Sequence, residues 1–288
     1  MAKRYSKAAH AKRHKQTSHK IKNVIILIFC GAAIWFGCSL WYAARTLQTA
    51  HPAESIAGEE FRPQVGDPPY RVVIDAGHGG ADPGARGVVE EKNMTAATAA
   101  ELIRLLQQDA NFIPLQTRSS FDETATPAQR AARASEQSPQ LLLSIHGNSA
   151  ANGSTASGFE CYPSVPGRTW HQESFYFAQL LAEGMQTSGA ALRGHGGVRY
   201  IYYLENDQKQ LVESTHTEIR EERSFTLLED VNCPAVLAEQ CFVTNEADAA
   251  RFGSEEGCKK AARIYYEAIC EYFDTQPQSE QLAGLSLN

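Results

Sequence analysis

His78, Glu91, His146 and Glu239 are the residues of this chain whose types could act together on a metal ion and on water. His78 stands in Gly77-His78-Gly79-Gly80, directly after the apolar run Val72-Val73-Ile74, which reads as a buried strand. Flanking glycines let a histidine face a ligand with little steric cover, although this segment alone could equally be a surface turn. Glu91 opens a helix thirteen positions later, and His146 ends the apolar run Leu141–Ile145. Two imidazoles and one carboxylate are a common catalytic zinc set with a fourth position left open. A second carboxylate is then needed as a base, and Glu239 interrupts the apolar stretch Pro234–Cys241, where a carboxylate without a role or partner would be costly.

The elements that must bring these residues together alternate in type. Strand readings at 72–74, 112–115, 141–145, 158–162 and 234–241 are separated by helix readings at 91–110, from Thr126-Pro127, and at 170–187, with a closing helix at 255–273. Such alternation predicts an α/β fold: a single catalytic domain with a mostly parallel twisted sheet flanked by helices. In open α/β sheets, sites collect outside the carboxyl ends of the strands, which is where His78, His146 and Glu239 fall.

The amino-terminal part reads differently. Residues 1–22 carry eight Lys/Arg and no acid, and residues 23–45 begin with a 22-residue uncharged stretch. About 22 helical residues reach roughly 33 Å, enough for a bilayer core of about 30 Å. The sequence therefore predicts one transmembrane helix, a signal-anchor, ahead of the catalytic domain. The basic side would remain cytoplasmic and the domain would lie extracytoplasmically, as a single-pass protein of the cell membrane. A cleaved signal peptide and a secreted domain is the alternative.

The expected organisation is thus a basic cytoplasmic tail at 1–22, a transmembrane helix at 23–45, a linker at 46–69, the catalytic domain at 70–273 and a flexible tail at 274–288. Beyond residue 45 there are 18 Lys/Arg against 33 Asp/Glu, a balance that argues against nucleic acid as a partner. Cys161, Cys233, Cys241, Cys258 and Cys270 show no CxxC spacing, so no thiolate zinc site is indicated and any disulfide pairing stays open.

With these motifs in place, the chain resembles the zinc-dependent N-acetylmuramoyl-L-alanine amidases. The resemblance rests on Val73–Gly80, Asp82-Pro83-Gly84-Ala85 and Glu91-Lys92, then Thr117-Arg118, Gln129-Arg130 and Ser144–Asn148, and finally Pro234–Glu239 with Phe242–Asn245. It spans roughly residues 71–273 and implies one zinc ion held by His78, Glu91 and His146, with Glu239 catalytic. Glu91 rather than Glu90 is the implied ligand because it directly precedes Lys92. Asn148 and Arg130 follow as the substrate-binding set, Asn148 facing the substrate and Arg130 closer to a structural role.

The resemblance also implies the reaction. It is hydrolysis of the amide between the lactyl group of N-acetylmuramic acid and the L-alanine of the stem peptide, with peptidoglycan as the partner and no protein partner indicated. A zinc carboxypeptidase acting on stem peptides, or a non-catalytic membrane-tethered wall-binding module, are the alternatives. One further motif needs a reading of its own, and one stretch departs from the family. A second Gly-His-Gly-Gly at 194–197 lacks a preceding apolar strand, so His195 reads as a loop residue. The stretch after it contains Tyr200, Tyr202 and Tyr203, and reads as a protruding hairpin that either decorates an edge or shapes a substrate groove.

Overall fold

The structure is a computed structural model that describes residues 61–205 and 208–278. Its centre is a five-stranded sheet in the order β2-β1-β3-β7-β4, with β1 at Tyr70–Ala76, β2 at Phe112–Gln116, β3 at Leu141–Asn148, β4 at Glu160–Pro163 and β7 at Ala235–Phe242. Strands β2, β1, β3 and β7 run parallel, and β4 pairs antiparallel with β7. The sheet is mixed: the segment before β4 is too short for the helical crossover that a fifth parallel strand would need.

Alternation along the strands divides the core. Val72, Ile74, Leu141, Leu143, Ile145, Val236 and Ala238 pack on one face with helices α1 (Glu91–Gln107), α3 (His171–Thr187) and α5 (Glu255–Tyr272). Val73, Leu142, Ala235 and Leu237 pack on the other with α2 (Pro127–Glu136) and α4 (Thr226–Asp230). Two covered faces explain why the central strands read as continuous apolar runs rather than alternating ones. Helix α2 starts at the expected Thr126-Pro127, where Thr126 and Gln129 also form a reciprocal capping box. The aromatic stretch forms a separate hairpin, β5 (Arg199–Tyr203) with β6 (Lys209–Glu213). Tyr200 and Tyr202 are 1% exposed, packed with Val165 and Val212, so these two rings support the hairpin instead of presenting a face to solvent.

Residues 23–45, read above as a membrane-spanning helix, lie outside the described residues. Among the described residues no helix is long and apolar enough to cross a membrane. The long helices α1, α3 and α5 each bury one side and carry charges on the other, and the apolar runs are short strands inside a sheet. The expected α/β domain with a mostly parallel sheet flanked by helices stands, with β4 as its one antiparallel strand, while the expected transmembrane helix is not found among the described residues. The signal-anchor, the membrane partner and the single-pass extracytoplasmic placement rested on that helix and are dropped with it. The five cysteines of the domain are buried and free.

Candidate functional site

Three strands and one helix start deliver the site. His78 follows β1, His146 lies in β3, Glu239 lies in β7, and Glu91 is the first residue of α1. An acidic side chain is favoured at a helix N-terminus by the partial positive charge there, a local reason for Glu91 to begin α1. Pairing then fixes the lateral positions, because Ala76 is opposite Ile145 in β3, and His146 is opposite Glu239 in β7. Gly77 is required by proximity: a Cβ there would lie 2.5–2.7 Å from three ring atoms of His146.

His78, Glu91 and His146 converge so that one ligand atom from each lies within 4.8 Å of the others. Glu91 Oε1 is the hub, 3.0 Å from His78 Nε2 and 3.1 Å from His146 Nδ1. Backbone N–H groups orient the carboxylate, Gly147 donating to Oε1 at 2.9 Å and Ala85 to Oε2 at 2.8 Å. Glu90 turns away, accepting from Arg86 at 3.1 Å and from Asn93 at 3.0 Å. The other nitrogen of His78, Nδ1, is 2.8 Å from Asp82 Oδ2. That arrangement leaves Nε2 as the ligand atom and orients the ring through an outer carboxylate.

Electrostatics tighten the cluster. Burial lowers the proton affinity of His78, but hydrogen bonds and charges from Glu91 and Asp82 outweigh it and raise its pKa to about 9. Burial pushes Glu91 up, yet hydrogen bonds from His146 and His78 hold it well below the ordinary carboxylate range. Two imidazoles turned on one buried carboxylate fit a divalent cation that accepts nitrogen and oxygen donors, and zinc with an open fourth position suits this set.

Glu239 stands beside the cluster rather than in it. It is opposite His146 on one side and opposite Glu160 of β4 on the other, so the three residues form a row across the sheet. Its Oε2 is buried without a hydrogen-bond partner. Burial, then the charges of Glu91 and Glu160, raise its pKa to about 8.

Of the remaining expected residues, Asn148 ends β3 and donates from Nδ2 to Glu160, while its Oδ1 accepts from the Ser149 N–H at 2.9 Å. Arg130 is not brought to the cluster: it pairs with Asp75, a fully buried carboxylate that also accepts from Thr117 at 2.6 Å and Ser144 at 2.7 Å. His195 is exposed, and its N–H donates to Glu213 at 2.7 Å.

Sequence reasoning missed Asp82 as the partner of His78; its place four residues on, in a turn, was the available signal. It also missed Glu160, 3% exposed and held by Arg199 at 2.8 Å and Arg193 at 3.2 Å. An acid in an otherwise apolar strand was the clue there, the same clue that singled out Glu239.

A family profile described as N-acetylmuramoyl-L-alanine amidase matches residues 72–271. The chain is similar to the uncharacterized protein YqiI of Bacillus subtilis (strain 168), 33% identical over 246 residues that cover 84% of this chain and 98% of that protein. It is also similar to the N-acetylmuramoyl-L-alanine amidase CwlM of Bacillus licheniformis, 25% identical over 215 residues, covering 74% of this chain and 72% of that one. Among solved structures, the catalytic domain of CwlV, an N-acetylmuramoyl-L-alanine amidase from Bacillus (Paenibacillus) polymyxa var. colistinus, aligns with a TM-score of 0.57. That alignment has 27% identity and covers 72% of this chain and 99% of the domain.

Proposed function

We propose, from the premise that the chain belongs to the N-acetylmuramoyl-L-alanine amidase family, that Glu239 is the proton carrier of its reaction. The chain is a hydrolase of peptidoglycan that cleaves the amide between the lactyl group of N-acetylmuramic acid and L-alanine, with metal assistance. His78, Glu91 and His146 would hold one zinc ion. When bound there, zinc supplies Lewis acidity, which polarises a carbonyl and makes water easier to deprotonate.

The observation that carries the role of Glu239 is its placement. It is a carboxylate in register with His146, with one oxygen sealed from water and unpartnered and with a raised proton affinity. A carboxylate so placed can take a proton from water and return it to the leaving amine of L-alanine. Glu160 and Arg199 extend the same row as a paired charge, which fixes the edge against which Glu239 lies. Asn148, at the end of β3, is the polar group we assign to substrate contact. Arg130 acts from below by neutralising Asp75 in β1, a structural role.

Glu239→Gln keeps the shape and removes the proton acceptor. Its turnover of purified peptidoglycan should fall about 10²–10⁴-fold, with zinc content unchanged. Turnover near that of the unaltered protein would remove Glu239 from the chemistry.

A further inference from the structure

The loop that presents His78 is gripped by the segment after β2, and we propose that Arg118 in that segment is a positioning residue that fixes His78 for metal binding. The inference rests on the reading of His78 as a zinc ligand. His78 has φ +60°, a left-handed backbone conformation that only a few per cent of non-glycine residues adopt, histidine among the more tolerant of them. Such a conformation persists only when its surroundings hold it.

Arg118, 6% exposed, supplies the hold. Its Nη2 donates to the carbonyl of Ala76 and its Nη1 to the carbonyl of His78 itself, so one planar guanidinium spans the two peptide groups around Gly77. Nη1 also donates to the Glu123 carbonyl at 3.2 Å, tying the grip to its own loop. The fork geometry matters, because a lysine ammonium is a single point of charge and does not present two fixed prongs.

Gly79 answers to the same contact. A Cβ there would fall on Arg118 Nη1 and lie 2.5 Å from the Phe121 carbonyl oxygen. The glycine after His78 therefore makes room for the arginine, whereas Gly77 makes room for His146. Further along, Thr124 Oγ1 accepts from the Ala81 N–H at 3.1 Å, and Lys92 Nζ donates to the Gly80 carbonyl at 3.2 Å. Every residue from Ala76 to Ala81 except Gly77 and Gly79 is thus bonded, at its backbone, to Arg118, Thr124 or Lys92. The direction of the His78 ring follows from a backbone that the β2–α2 segment and the start of α1 set.

The test is the zinc dissociation constant of the full chain, measured by competition with a chromophoric chelator well below the unfolding temperature of each variant. Arg118→Met should weaken zinc binding about 10–100-fold, the range found when outer partners of metal ligands are lost. Arg118→Lys should recover little of it. Thr124→Val removes only the acceptor of the Ala81 N–H and should weaken binding about three-fold, in keeping with one neutral hydrogen bond; Arg118→Lys stands in if Arg118→Met does not fold. A merely structural arginine would lower the unfolding temperature of the metal-free protein and leave the dissociation constant alone. An unchanged constant in folded Arg118→Met, or in Arg118→Lys if Arg118→Met does not fold, overturns the proposal while the metal reading stands. Absence of zinc binding by the unaltered protein overturns both.

Discussion

Gly77-His78-Gly79-Gly80 and Gly194-His195-Gly196-Gly197 are one tetrapeptide in two settings. The first leaves the end of a buried central strand, and its imidazole lies between the Glu91 and Asp82 carboxylates at 3.0 and 2.8 Å. The second lies in an exposed turn before the β5–β6 hairpin, and its bonds run through the backbone, the His195 N–H and carbonyl meeting Glu213 and Ser214. There the glycine serves a different neighbour: a Cβ at Gly194 would collide with Arg199 and Glu213, the ion pair that ties the hairpin to Glu160. Identical residues become a ligand in one place and a turn in the other because of what the preceding chain and the facing loop supply.

The comparison can be broken most sharply by alanine at each histidine. His78→Ala should weaken zinc binding by more than about 100-fold, beyond the cost of losing an outer partner, with turnover lost in parallel. His195→Ala should leave zinc binding unchanged and shift stability by no more than about 0.5 kcal/mol, as for an ordinary surface site. Metal analysis and thermal unfolding of the two variants read both effects. Equal zinc loss in the two would contradict the contrast.

The strands beneath the two copies differ as well. Asp75, under the first, is fully buried and neutralised by Arg130. Arg130→Met should destabilise the fold by about 3–5 kcal/mol, since it strands a buried charge; denaturant midpoints measure it. Under the second, Glu213 is partly exposed, and Glu213→Ala should cost about 1 kcal/mol, the worth of an ordinary hydrogen bond, with zinc binding untouched. A loss from Glu213→Ala as large as that from Arg130→Met would erase the distinction between the two sites.

The smallest effect concerns the loop that grips the first copy. Hydrogen bonds from Ser119, then Arg133, hold the Glu123 carboxyl down to about 2. Its pKa in the fold lies below the unfolded value, so its contribution is complete above about pH 4.5 and is lost as pH falls towards 2. Glu123→Gln should therefore flatten that part of the acid limb. Unfolding temperatures recorded from pH 6 to pH 2 would show it, and an unaltered acid limb would exclude it.

The central strands were legible because parallel strands covered on both faces must be apolar along their length, as Val72–Ile74 and Leu141–Ile145 are. The two histidines of the cluster were legible because they stand where those runs stop, and Glu91 because it opens the helix that follows the first of them. Glu239 betrayed itself as a carboxylate in an apolar strand, and Thr126-Pro127 as a helix start. What could not be read depends on contacts between distant segments. Arg118 reaches His78 across 40 positions and Asp75 meets Arg130 across 55, and neither pair has a local spacing rule. The hairpin was foreseen from its tyrosines, but their burial against Val165 was not, since aromatic residues suit either an exposed face or a small core. The uncharged stretch at 23–44, whose length and apolarity invoked a membrane helix, lies outside the described residues, and no such helix is found among those that are described.

One digest tests the account most directly. Purified peptidoglycan is treated with the zinc-loaded protein, with and without a chelator, and the fragments are identified by mass. The account predicts glycan strands with free lactyl carboxyl groups together with peptides that begin with L-alanine, and no release after chelation. Free amino acids trimmed from intact stem peptides, or undiminished cleavage in the chelator, would contradict it.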